Sequence, residues 1–253
     1  MGAVFDVLPA PALHVAAAMV VVLLAGIVRG FAGFGFSALT VAGMSLFVSP
    51  AQVVPAAFAL EVLASITLLR SVWRDIDWRW LRPLLIGNAI AIPIGVGMLA
   101  IVPEAPLRAI VSGVILLAST SLLLGVRAPW PDSSGVRLAT GFASGIVNGL
   151  AAIGGMVVAV MLFSTTIPAA AARATLIAMF LATDVYSLGW AGGAGLLDAN
   201  LLRWVAWLVV PMLIGIAIGS RHFRGVSEDR FRRIVLRVLA AVAALGLLRA
   251  IWG

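Results

Sequence analysis

Residues 26–35 read Gly-Ile-Val-Arg-Gly-Phe-Ala-Gly-Phe-Gly, and residues 145–154 read Gly-Ile-Val-Asn-Gly-Leu-Ala-Ala-Ile-Gly. These are two versions of one segment, and the likeness extends outward, so that residues 26–124 align with 145–248. Pro50 meets Pro168, Asp77 with Arg82 meets Asp198 with Arg203, and Gly95 meets Gly219. Glu104 with Arg108 meets Glu228 with Arg232, while the offset drifts from 119 to 124 as small loop insertions would make it. Glycine matches alone are weak, but two acid–arginine pairs at equal spacings are not. The chain divides into two homologous halves, 1–125 and 126–253.

The repeated segment also sets the class of fold. Ala12 to Val48 carries a single charge, Arg29. As one helix it would run about 55 Å at about 1.5 Å per residue, against a hydrocarbon core about 30 Å thick. Glycines 26, 30, 33 and 35 crowd its middle, and glycines 141, 145, 149, 154 and 155 do the same in the second half. Each half therefore opens with a stretch that breaks or bends back. Short second segments are expected near Gly35–Phe47 and Gly154–Ser164.

Composition agrees. The chain of 253 residues is 63% hydrophobic and 11% charged, where a soluble domain has about 25% charged residues. So few charges cannot cover a soluble surface. Further charge-free runs, such as 83–103, 109–126 and 204–220, supply spanning segments of the required length. The N-terminus lacks a basic stretch, so a cleaved signal peptide is not expected.

All 17 basic residues are arginines, and cytoplasmic loops are enriched in them. If each half crosses the membrane five times, all arginines fall on one side except Arg108, Arg203, Arg249 and the mid-helix Arg237. Four crossings per half split them almost evenly. The odd count gives an all-α polytopic membrane helix bundle of two inverted repeats of about five membrane segments each. Gly-rich broken first helices open both repeats, and both termini are expected outside.

The same residues carry a resemblance. The Gly-rich break after the first helix, a proline opening a later helix, and a Leu-Ile-Gly segment running to Gly95 or Gly219 come first. Followed by Pro103-Glu-x-x-Leu-Arg108, they resemble the TauE/SafE sulfite exporter family of anion transporters over nearly the whole chain. That resemblance implies a bacterial inner-membrane carrier of sulfite or an organosulfonate such as sulfoacetate.

Several polar residues lie deep in apolar sequence. Half-helix ends at a mid-membrane break offer N–H groups and positive dipole ends to an anion. Gly33, Gly35, Gly154 and Gly155 are therefore substrate-binding candidates, although glycine at every fourth position also permits close helix packing. Arg29, at the first break, has the fork that pairs two oxygens of a sulfonate; its alternative role is an anchor at the inner interface. Its repeat counterpart Asn148 is a second donor. Arg173 is a further anion ligand or, again, an interface anchor, and Ser37 with Thr40 could hydrogen-bond substrate oxygens or their own backbone.

Glu61 and Asp184 are the deepest acids. Asp184 aligns with Ser65, one turn from Glu61, so the two occupy one face of equivalent helices. Carboxyl groups are costly to keep charged at this depth, which makes both proton-coupling candidates. The alternatives are hydrogen bonding to a neighbour such as Tyr186 beside Asp184, or pairing with Arg29 or Arg173. The stretch 70–82 interleaves Arg, Asp and Trp as an interfacial belt does, and binding of nucleic acid is not expected.

The leading function is a secondary transporter of a small anion working by alternating access between the halves. An anion channel or a non-transporting membrane subunit of a larger complex stays open as the alternative. An enzyme is not expected: Cys is absent, His14 and His222 are far apart in sequence, and there is no Lys. No cofactor or metal is implied. The partners are a small anionic substrate, the lipid bilayer and, from the small-residue helix faces, a homodimer.

Overall fold

The computed structural model describes residues 8–125, 133–162, 164–222, 236–237 and 239–248. Every regular element among them is helical. The first half holds α1 (Ala12–Ala32), α2 (Phe36–Met44), α3 (Pro50–Val72), α4 (Trp78–Ile101) and α5 (Glu104–Leu123). The second holds α6 (Ser134–Ala151), α7 (Gly154–Leu162), α8 (Ala169–Gly193), α9 (Ala199–His222) and the apolar α10 (Leu239–Leu248). The order long, short, long, long thus occurs twice, with both short helices nine residues long. The repeat pair Glu228 and Arg232 lies outside the described residues.

Local chemistry explains the boundaries. Pro50 occupies the first turn of α3, and Pro103 and Pro168 stand just before α5 and α8, where a missing N–H costs nothing. The two aspartates of the repeat are helix caps. Asp77 accepts a hydrogen bond from the Arg79 backbone N–H at the start of α4, and Asp198 accepts one from Leu201 at the start of α9. The Glu104–Arg108 pair is a one-turn ion pair on α5 whose guanidinium also reaches the Ser45 carbonyl at the end of α2.

The 12–48 stretch folds back on itself. Gly35 lies against Val28 and Gly43 against Val21, so α2 runs antiparallel along α1. The Phe47 ring returns to within 5.3 Å of the His14 ring at the start of α1. In the second half, Gly154 at the start of α7 packs on Ser144 and Asn148 of α6. Both short helices are shorter than the sequence suggested, ending at Met44 and Leu162. They sit inside the protein: α2 is buried except at Leu39, and α7 except at Val157 and Val160.

Long helices surround them. Among the described residues, six are long and apolar enough to cross a membrane: α1, α3 with the 3-10 turn Trp73–Asp75, α4, α5, α8 and α9. Ile86, Ile90 and Ile94 of α4 and Val210, Ile214 and Ile218 of α9 point outward, as a lipid-facing surface requires.

Two seams join the halves. α1 packs on α9 and α4 on α6, while α3 meets α8. Along α4 and α6, Gly87 faces Gly141 and Gly95 faces Gly149, so these helices run in the same direction. Gly26 and Gly30 with Gly215 and Gly219 make the equivalent seam between α1 and α9. A Cβ at any of these positions would collide with the backbone of the partner helix. Gly26, Gly30, Gly141, Gly145 and Gly149 are therefore packing residues, and the break itself belongs to Gly33, Gly35, Gly154 and Gly155. Gly95→Ala is expected to cost about 1–3 kcal/mol through overpacking. Gly97→Ala, two residues on and with open space at its Cβ, should leave the thermal midpoint in detergent unchanged or raised.

Candidate functional site

α1 ends because Gly33 turns left-handed, with φ of 77°, and Gly35 follows at 88°. At the equivalent point α6 ends on Ala152, also left-handed with φ of 57° and here carrying a side chain. In both halves the residue four before the turn accepts the capping hydrogen bond. Gly33 N–H donates to the Arg29 carbonyl at 2.9 Å and Ala152 N–H to that of Asn148 at 2.7 Å.

The side chains of this equivalent pair reach into the core. Arg29 is wholly buried, so the anchor reading does not hold. Its Nη2 lies 2.7 Å from Glu61 Oε1 and donates to Ser65 Oγ at 2.8 Å, while Nη1 donates to the Gly33 carbonyl at 2.5 Å. The guanidinium stands 4.6 Å over the Phe180 ring. Ser37 donates to the other Glu61 oxygen at 2.7 Å, so this carboxylate is held from α1 and α2 at once.

Asn148 does the corresponding work in the second half. Its Nδ2 donates to Asp184 Oδ1 at 2.8 Å and approaches Ser187 Oγ at 3.3 Å, and its Oδ1 accepts from the Gly154 N–H at 3.3 Å. Ser144 bridges the Gly154 carbonyl and Asn88 of α4. Tyr186 is not the partner of Asp184; it is 40% exposed and set edge-on to Trp190. Arg173, on the first turns of α8, donates to the Gly30 carbonyl at 3.2 Å and packs its stem on Gly33. It is thus brought to the first break.

Arg29, Glu61 and Asp184 are buried, and the half-buried Arg173 reaches the same break through the Gly30 carbonyl. Two acids and two arginines cancel formally. Beside them the two breaks face each other across a cavity of ≈ 10 Å³, about the room a single water needs. Gly35, Ser37 and Glu61 line it from the first half, and Ala152, Gly155 and Phe180 from the second. Thr40 lies outside that lining, fully buried, with no hydrogen-bond partner for its hydroxyl among the described residues.

The cavity sits at the amino-terminal turns of both α2 and α7, where N–H groups lack intrahelical acceptors and the helix dipoles are positive. Ten of the residues singled out in the sequence lie together in this region, and Ser65, Phe180 and Ser187, which join them, were not among those singled out. The signal was present: Arg29 to Ser65 and Asn148 to Asp184 are both separations of 36 residues.

Outward apolar faces, spanning helices and a buried charged centre between two broken helices define a multi-pass membrane transporter. The family model described as sulfite exporter TauE/SafE matches residues 18–245, and the chain belongs to that family. No curated protein and no solved structure matches it.

Two stability measurements follow. Arg29→Met alone should destabilise by about 3–5 kcal/mol because it strands the Glu61 carboxylate. Adding Glu61→Leu should recover much of that loss, and unfolding in detergent of the singles and the double gives the coupling directly. Ala152→Gly removes a left-handed alanine and should stabilise by about 1–2 kcal/mol.

Proposed function

We propose that the chain carries a small sulfur oxyanion or organosulfonate, such as sulfite or sulfoacetate, by alternating access, with proton coupling through Glu61. The observation that carries this reading is the cavity shared by the two breaks, with positive helix ends on both sides and Arg29 and Glu61 at its margin.

The halves are read as inverted repeats of about five segments, divided near residue 125. The folded-back first stretch, the crossed seams and the arginine bias support this reading. Both termini then lie on the outer side of a bacterial inner membrane. The present cavity is too small for a sulfonate, so substrate enters only if the two breaks move apart.

Electroneutrality supplies the coupling. The Arg29 fork is occupied by Glu61, Ser65 and the Gly33 carbonyl. An anion arriving alone would add negative charge to a balanced buried cluster, which is expensive at membrane depth. Protonation of Glu61 removes the competing carboxylate and frees the fork for two oxygens of the substrate. Proton and anion then move together, with Asp184 as a second acceptor held by Asn148. Ser37, Gly33, Gly35, Gly154 and Gly155 complete the site, and Arg173 adds positive charge beside the first break.

Purified protein in liposomes tests this with labelled sulfoacetate, sulfite and acetate as competitors, and an imposed pH gradient. Saturable uptake that sulfite blocks and acetate does not is expected. Arg29→Ala should abolish it, and Glu61→Gln should leave transport insensitive to the gradient. Asp184→Asn reports whether the second carboxyl also carries a proton. Uptake of carboxylates with no response to sulfur anions would refute the substrate class, while large unitary conductance would favour the channel.

A further inference from the structure

By the repeat, Phe180 of α8 occupies the position that Glu61 holds on α3. Both residues converge on one guanidinium. Glu61 meets Arg29 at its edge, with Oε1 2.7 Å from Nη2. Phe180 meets it over the face, with 4.6 Å from Arg29 Cζ to the ring centroid. The ring also lines the cavity between the two breaks, whereas Arg29 does not. We propose that Phe180 is the gate of the anion site: its ring shields Arg29 from the cavity and must swing aside before an anion binds. The proposal rests on the anion-carrier reading above and names the residue that controls admission to that same site.

The closed position is built by both halves. A Cβ at position 155 would collide with Cζ and Cε1 of Phe180, so the ring edge lies in a socket that only glycine leaves open. Gly155 stands on the first turn of α7, which makes the socket part of the second break. Arg29 supplies the other wall from the first half. A cation over an aromatic face is attracted by the ring quadrupole, and more strongly where water is excluded. The ring is 4% exposed, so water is excluded here.

Arg29 keeps binding capacity that this arrangement leaves unused. Its Nε is buried and has no hydrogen-bond partner among the described residues, while Nη1 and Nη2 are engaged. Protonation of Glu61 releases the Nη2 edge, and movement of Phe180 uncovers the face. Admission of an anion requires both. The face of an aromatic ring is negative, so while it covers the guanidinium it opposes the very charge that the site takes. Parting of the two breaks enlarges the cavity on the side the ring already lines, and gives it room to turn.

The chain has no cysteine, so one introduced thiol can report on the cavity. Ala38→Cys places it in the lining, at a position 2% exposed. The probes are 2-sulfonatoethyl methanethiosulfonate and its trimethylammonium counterpart, applied to the full chain in detergent. With Phe180 present, both should react slowly. Adding Phe180→Leu or Phe180→Met keeps apolar bulk and removes the ring. Either should speed the sulfonate reagent at least about tenfold, because the competent fraction no longer waits on the ring. The cationic reagent should gain far less, and the thermal midpoint shows each variant folded. Phe58→Leu, at a fully buried position outside the cavity lining, should change neither rate. Equal rates with and without the ring, or an equal gain for both reagents, would overturn the gate. Sulfoacetate separates this result from the carrier reading. If it slows labelling of the Phe180→Leu protein, gate and sulfonate site both stand. A faster sulfonate reaction that sulfoacetate does not slow keeps the gate and removes sulfoacetate as substrate.

Discussion

A helix end at membrane depth leaves N–H or carbonyl groups without partners, and lipid supplies none. Four such ends meet near the middle of this protein, at the close of α1 and α6 and the start of α2 and α7. Each must be satisfied by protein, which forces the nine-residue helices inside and the long helices around them. The glycine seams answer the same demand. Bringing α1 onto α9 and α4 onto α6 at backbone contact closes the shell tightly enough to exclude lipid from the breaks.

The residues that satisfy the broken ends are also the ones with functional chemistry. Arg29 and Asn148 each cap a helix through the backbone and extend a side chain to an acidic or hydroxyl partner on the next long helix. The two halves have diverged in a complementary way. Where the first half has Arg29, Glu61 and Ser65, the second has Asn148, Phe180 and Asp184. Phe180 thus occupies the position equivalent to Glu61 and presents its ring to Arg29 of the other half. A symmetric copy would have put two arginines and two glutamates at the centre. The existing one puts the Arg29–Glu61 ion pair there, with Asp184 held by Asn148 and Arg173 reaching the Gly30 carbonyl at the first break.

Much of this was legible beforehand. The repeat, the breaks and the two deep acids follow from spacing and composition, because length and charge at membrane depth are tightly constrained. Arg137 was not. In sequence it is one more arginine beside a loop, and only the seam with α4 buries it on Trp80. Tyr186 misled for the related reason that proximity along a helix does not mean a shared face: two residues beyond Asp184, it points outward.

The sequence by itself determined that the chain is a multi-pass membrane helix bundle of the TauE/SafE type, that its helices break near Gly33 and Gly154, and that Arg29, Glu61 and Asp184 lie within apolar runs. Those properties reside in local runs and in the repeat, and are readable one segment at a time. Tertiary structure alone decided that α2 doubles back along α1, that the glycines divide into seam and break, and that Arg29 pairs with Glu61 and not Asp184. It also placed the two breaks face to face. These depend on which helix surfaces meet across the halves, and packing without voids settles that choice only when all the helices are present together.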